Sequence, residues 1–162
     1  MVTRYKLLVF SLLFAILFSQ YGYCSGRYYQ LYSNSYGTFS LDTFTLEVNS
    51  NTTGIYFNAW IMIQYTEEGR YQVIADRLKL GLPVFGYQNL KSSLWNYTFA
   101  TNGTRNFFKN MQCIEYDTYD NILWNYTYPS SKPFQEAIPG STVESDIYGI
   151  SLYCSSNGIQ PK

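Results

Sequence analysis

The chain contains no histidine. That removes the usual general base near neutral pH and the commonest metal ligand. It also excludes Ser-His-Asp and Cys-His catalytic triads. No Gly-x-Gly-x-x-Gly run and no phosphate-binding loop occurs, so no cofactor is called for by motif. Charge is scarce as well. Charged residues make up 14% of the chain, and 11 Lys and Arg balance 11 Asp and Glu without any basic run. Nucleic-acid binding and attraction to anionic membranes therefore have no footing. After residue 18 no apolar stretch is long enough to span a bilayer. Helical periodicity over three turns is missing too, and only residues 76–80 offer a short candidate helix.

What is present begins with a secretory leader. Arg4 and Lys6 precede a run of mostly large apolar residues, 7–18, too short to cross a membrane comfortably. Cutting after Cys24, with Gly22 two residues before it, satisfies the small-x-small rule. This predicts a signal peptide over 1–24 and a single secreted β domain over 25–162, with no membrane span after cleavage. An uncleaved anchor is the alternative. Loss of Cys24 leaves an even pair, Cys113 and Cys154. In an oxidising compartment these are expected to form a disulfide, typically contributing roughly 3–4 kcal/mol for a loop of this length. If Cys24 is retained, it is the odd thiol and pairs outside the chain.

Four Asn-x-Thr sequons follow, at Asn51, Asn96, Asn102 and Asn125. Behind a leader they are usable glycosylation acceptors, which predicts an extracellular glycoprotein. Two of them sit in a repeated hexapeptide, Leu-Trp-Asn-Tyr-Thr-aromatic, at residues 94–99 and 123–128. On a strand, neighbours point to opposite faces. With Asn96 and Thr98 toward solvent, Trp95, Tyr97 and Phe99 share the other face. Asn125 and Thr127 stand in the same relation to Trp124, Tyr126 and Tyr128.

The richness in Tyr, Phe, Ile, Thr and Val, with turn residues between, is that of a β protein. Residues 38–48 alternate with a change of phase near Thr43. Residues 55–65 give the strongest strand, with Phe57, Ala59, Ile61 and Ile63 on one face. The loop at Glu67, Glu68 and Gly69 predicts a hairpin to a second strand over 71–80. Asn102-Gly103 predicts a hairpin between 88–99 and 106–116, followed by strands over 121–128 and 146–154. The expected fold is mostly β, with little helix: a single antiparallel sheet curved into a half-barrel or barrel, or else a sandwich.

Two groups of residues are candidates for function. Glu115 and Asp117 share a strand face near Asp120, which suits a two-carboxylate glycosidase or a weak Ca²⁺ site. The plain alternative is solvated edge or turn charges. The second group is the aromatic stripe, Trp95, Tyr97, Phe99, Trp124 and Tyr126. It is either an ordinary core or the lining of an apolar ligand cavity. Aromatic residues form 20% of the chain, more than one core of this size needs.

Gly54-Ile55-Tyr56-Phe57-Asn58, the run from Leu94 toward Cys113, and Pro133-Phe134 through Glu136-Ala137-Ile138-Pro139-Gly140 resemble segments of the ependymin-related and LolA-like secreted proteins. The resemblance implies a curved antiparallel sheet around an apolar pocket and binding of lipid-like ligands. Asn58 stands where that family prefers Asp. The expected function is thus non-enzymatic binding of an apolar small molecule or lipid by a secreted glycoprotein. The alternative is a recognition module that binds an extracellular protein or glycan partner through exposed tyrosines. A carboxylate-dependent glycosidase ranks last.

Overall fold

A computed structural model describes residues 26–162. The expected leader and Cys24 lie outside the described residues. The first elements are β1 (Tyr28–Ser33), β2 (Gly37–Asp42), β3 (Glu47–Asn51) and β4 (Gly54–Tyr65). Helix α1 (Glu67–Lys79) and a 3₁₀ turn (Tyr87–Asn89) lead to β5 (Leu90–Thr101) and β6 (Asn106–Asp117). The chain closes with β7 (Ile122–Thr127), the short β8 (Gln135–Glu136) and helix α2 (Thr142–Ser156).

All strands pair antiparallel in one sheet, in the order β1-β2-β4-β5-β6-β7. β3 lies beside β2 along the same edge of β4, and β8 adds to β6. The sheet does not close: it is a curved half-barrel, 45% of the described residues being strand and 23% helical. The long strands β4, β5 and β6 form its centre. Their alternation is the one expected from sequence. Phe57, Ala59, Ile61 and Ile63 are buried on the inner face, while Tyr56, Asn58, Trp60 and Met62 stay half-buried on the outer one. The Asn102-Gly103 hairpin joins β5 to β6, with Gly103 at φ +86° and Asn102 Oδ1 accepting from the backbone N–H of Thr104 and Arg105. Two register shifts interrupt this ladder, one at Lys91, between the pairs Leu90–Asp117 and Ser92–Tyr116, and one midway. Asn96 pairs with Gln112 and Tyr97 with Asn110, leaving Met111 as the extra residue.

Two expected strands are helices. Residues 71–79 belong to α1, and Leu80 is its C-cap. Thr66 caps its N-terminus by accepting from Gly69 N–H at 3.0 Å, Glu67 and Glu68 occupy the first turn, and Arg77 and Lys79 the last. Only Gly69, Val73 and Arg77 are buried, a stripe one residue wide, which is too thin to show as helical periodicity. Residues 146–154 belong to α2. Ser141 caps it by accepting from Glu144 N–H, and the Glu144 carboxylate accepts from Gly140 N–H at 2.7 Å. Neither helix is long and apolar enough to cross a membrane.

Both helices pack on the inner face. α1 covers the end where Tyr65, Tyr87 and Leu90 lie, and α2 places Ile147, Ile150 and Cys154 against Leu41, Ile61, Tyr97 and Phe99. α2 also touches β1, through Tyr153 on Tyr29 and Gly149 on Leu31.

The expected disulfide is not formed. Cys113 and Cys154 are both buried free thiols. Cys113 lies on β6 beside Trp95, whereas Cys154 projects from a helix rather than a strand and packs in the α2 core. Burial pushes both thiols up, Cys113 the further. Alkylation under denaturing, non-reducing conditions is expected to label both cysteines. A protein that resists labelling until reduced would contradict this arrangement. Gly69 generates a second prediction. In most helices Gly→Ala stabilises, by roughly 0.5–1 kcal/mol. Here a Cβ would stand 1.8 Å from the Tyr36 carbonyl oxygen. Gly69→Ala is therefore expected to destabilise by about 2 kcal/mol or more in urea unfolding, the opposite sign.

Candidate functional site

The antiparallel registers stack inner-face side chains in rows across the sheet. One row is Phe39, Ile63, Ser93, Glu115 and Trp124; the next is Leu41, Ile61, Trp95, Cys113 and Tyr126. Tyr97 and Asn110, then Phe99 and Phe108, continue toward the β5–β6 hairpin. The five aromatic residues singled out from sequence thus share a face but divide by depth. Phe99 is fully buried and Tyr97 is 8% exposed, both in the core under α2. Trp95 is half-buried, stacks on Tyr97 at 5.9 Å and 14°, and donates from Nε1 to Ser93 Oγ at 3.0 Å. Trp124 is half-buried, and Tyr126, on the edge strand, is 43% exposed. Tyr128 links the two hexapeptides, stacking on Trp95 and meeting Tyr126 edge-on.

The carboxylates are engaged otherwise than a glycosidase pair requires. Glu115 is buried and accepts from Arg77 Nη1 at 3.1 Å and from the Tyr87 hydroxyl. Arg77 Nε donates to the Pro83 carbonyl at 2.9 Å, and its guanidinium lies between the rings of Tyr87 and Trp124, 4.2 and 4.6 Å from their centroids. Burial raises the Glu115 carboxyl; the Tyr87 hydroxyl and Arg77 act against it. Asp117 caps the following turn, accepting from the N–H groups of Tyr119 and Asn121 and from Asn121 Nδ2, and those bonds lower its pKa. Asp120 pairs with Lys91 at 2.8 Å. Among the described residues no three Cys, Asp or Glu side chains are grouped to hold a metal ion.

Room for a ligand lies beside α2, at residues that sequence reasoning did not single out. A groove of about 690 Å³ is bounded by Leu31 and Tyr32 of β1, by Thr101 and Asn106 at the hairpin end, and by the α2 flank carrying Ile147, Tyr148 and Leu152. Glu144, Ser145 and Ser151 add polar groups to its lining. Its signal in sequence was faint, because a helix read as a strand puts these side chains on the wrong faces.

α2 also carries a charge problem. Asp146 is 3% exposed, on the core side of the helix. Its Oδ1 has no hydrogen-bond partner, and the nearby Tyr32 hydroxyl donates to the Thr142 carbonyl at 3.1 Å. Burial pushes the carboxyl up to about 7, with the Tyr32 hydroxyl acting against it.

All four sequons stand on the surface side. Asn51 and Asn102 lie in exposed turns, while Asn96 and Asn125 lie on the outer face of β5 and β7, opposite the aromatic residues. Comparison of the chain with family models, with curated proteins and with solved structures finds no match.

Asp146 yields a pH prediction. Below about pH 4 both folded and unfolded chains hold the proton. Between about 4 and 7 the unfolded chain releases it and the folded one does not. Stability is expected to fall across that window, by up to about 4 kcal/mol from this group, and to level off above it. Asp146→Asn should remove that part of the slope in urea midpoints taken at pH 4.5, 6 and 8. An unchanged slope would assign it elsewhere.

Proposed function

We propose that the protein is a secreted, N-glycosylated, non-enzymatic carrier that binds an amphipathic, lipid-like small molecule in the groove beside α2. The observation that carries this reading is the groove itself. Its volume, about 690 Å³, falls in the range of small-ligand sites. Its lining is apolar at Leu31, Ile147, Tyr148 and Leu152 and polar at Thr101, Asn106, Glu144, Ser145 and Ser151. An apolar chain on the walls with a polar head at Glu144, Ser145 and Ser151 fits that division. The open half-barrel supports the same reading, since it is the shape that the ependymin-related and LolA-like resemblance implies. The aromatic stripe is then the packed wall behind α2 and the platform at the β7 edge, rather than the ligand's first contact. Leader cleavage after Cys24 and glycan at Asn51, Asn96, Asn102 and Asn125 complete the proposal.

A second reading, a recognition module, is favoured by one observation. At the α1 end, Leu80, Phe85, Tyr119 and Ile122 are exposed, Phe85 by 96%. The Thr118 N–H bond to the Asn89 carbonyl and the approach of Gly86 to Leu123 bring these loops together. Such a tip suits an apolar protein partner.

Native mass spectrometry of the protein secreted from a eukaryotic host, after glycan removal, separates the two. The carrier is expected to show an added mass that is lost on denaturation, and to bind a fluorescent fatty-acid probe. Leu152→Lys, at a half-exposed wall position, should weaken probe binding about tenfold or more with the fold intact. Phe85→Ser should leave it unchanged. A bare mass, no probe binding, and a partner lost on Phe85→Ser would transfer the function to the tip.

A further inference from the structure

The outer face of the sheet has its own pattern. Register places Met62, Leu94, Ile114 and Asn125 in one row, and Trp60, Asn96, Gln112 and Thr127 in the next. Trp60, Met62, Leu94 and Ile114 are all half-buried, so each keeps apolar surface in water. Both helices pack on the opposite face. Yet two of the four sequons sit inside this apolar patch rather than at a turn. Asn96 is one strand from Trp60, and Asn125 is two strands across and one row along from Asn96, about 12 Å away. Gln112 Nε2 donates to Asn125 Oδ1 at 3.0 Å. That bond holds the amide oxygen and leaves Nδ2, the atom a glycan attaches to, free.

We infer that the glycans on Asn96 and Asn125 are the cover of the outer sheet face, doing there what α1 and α2 do on the inner one. The inference rests on the proposal that the sequons are used. A pyranose ring presents a face of C–H bonds, which packs on an aromatic ring through its electron-rich surface. The core sugars of Asn96 lie over Trp60 and Met62, and those of Asn125 over Ile114. The glycans of Asn51 and Asn102 leave from exposed turns, where each asparagine oxygen is held by its own sequon threonine; beside Asn51 stands the Tyr56 hydroxyl, 2.7 Å from Thr53 Oγ1, outside the rows that hold Trp60, Met62, Leu94 and Ile114. The four sites are therefore unequal: two glycans belong to the fold and two do not.

The test is expression in a eukaryotic host with glycopeptide mapping by mass. Asn96→Gln and Thr127→Val each remove one covering glycan, the second without altering Asn125 itself. Asn51→Gln and Asn102→Gln remove the other two. The same four variants made without glycan in bacteria subtract the effect of the side-chain change. Loss of either covering glycan should lower Tm by about 3 °C or more, and loss of either turn glycan by less than about 1 °C. Iodide quenching of tryptophan fluorescence should rise in Asn96→Gln, and the rise should vanish in a Trp60→Phe background. Four occupied sites with equal effects would overturn the cover while leaving the glycoprotein reading intact. So would glycan on Asn51 and Asn102 alone. Absence of glycan from every site would sink both.

Discussion

An open sheet with twelve-residue central strands has one face too apolar to leave in water, and covering that face is the constraint on which the rest of the structure depends. Two short helices do it, one at each end of the half-barrel. They are attached by different physics. α1 is tied down by a buried ion pair, Arg77 with Glu115, enclosed by Tyr87 and Trp124. Such a pair adds little net stability against an apolar substitute, but breaking it leaves a charge stranded. It therefore fixes where α1 sits more than how firmly the protein folds. α2 is held by apolar contact, with Ile147, Ile150 and Cys154 on the core, and carries into it the Asp146 carboxyl, one oxygen of which has no partner.

This difference bears on function. The ion-paired end of the molecule carries the exposed tip at Phe85, and the end held by apolar contact carries the groove. A recognition surface benefits from a rigid frame.

Much of the sheet was legible in the sequence, because period-two alternation survives wherever one face is buried. Phe57 through Ile63 announced β4, and Asn102-Gly103 announced the β5–β6 turn. The helices were not legible by periodicity. α1 buries only a line of residues four apart, and α2 is rich in residues that also suit strands. Their caps were legible. Thr66 before two glutamates, and Ser141 three residues before Glu144, are helix starts that outweigh β-favouring residues downstream. The cost of missing the second was large. With α2 read as a strand the groove was invisible, and the pairing of Cys113 with Cys154, argued from an even count alone, met no geometric objection. The aromatic stripe was placed on the correct face, but only contact across strands decides which rings are core and which are edge.

Chain connectivity adds a consequence in time. Every strand pairs with its neighbour in sequence or the next but one, and the longest connection between paired strands is the one that carries α1, from Tyr65 to Leu90. α2 is the exception to this locality. Its contacts with β1, through Tyr29, Leu31 and Tyr32, join the two extremes of the described chain. That closure carries the largest loop entropy in the molecule. α2 is thus the last piece to dock on a sheet already formed. Its departure would bare Ile147, Ile150 and Cys154 together with the inner face beneath them, so the docking of α2 and the drying of that face are one event.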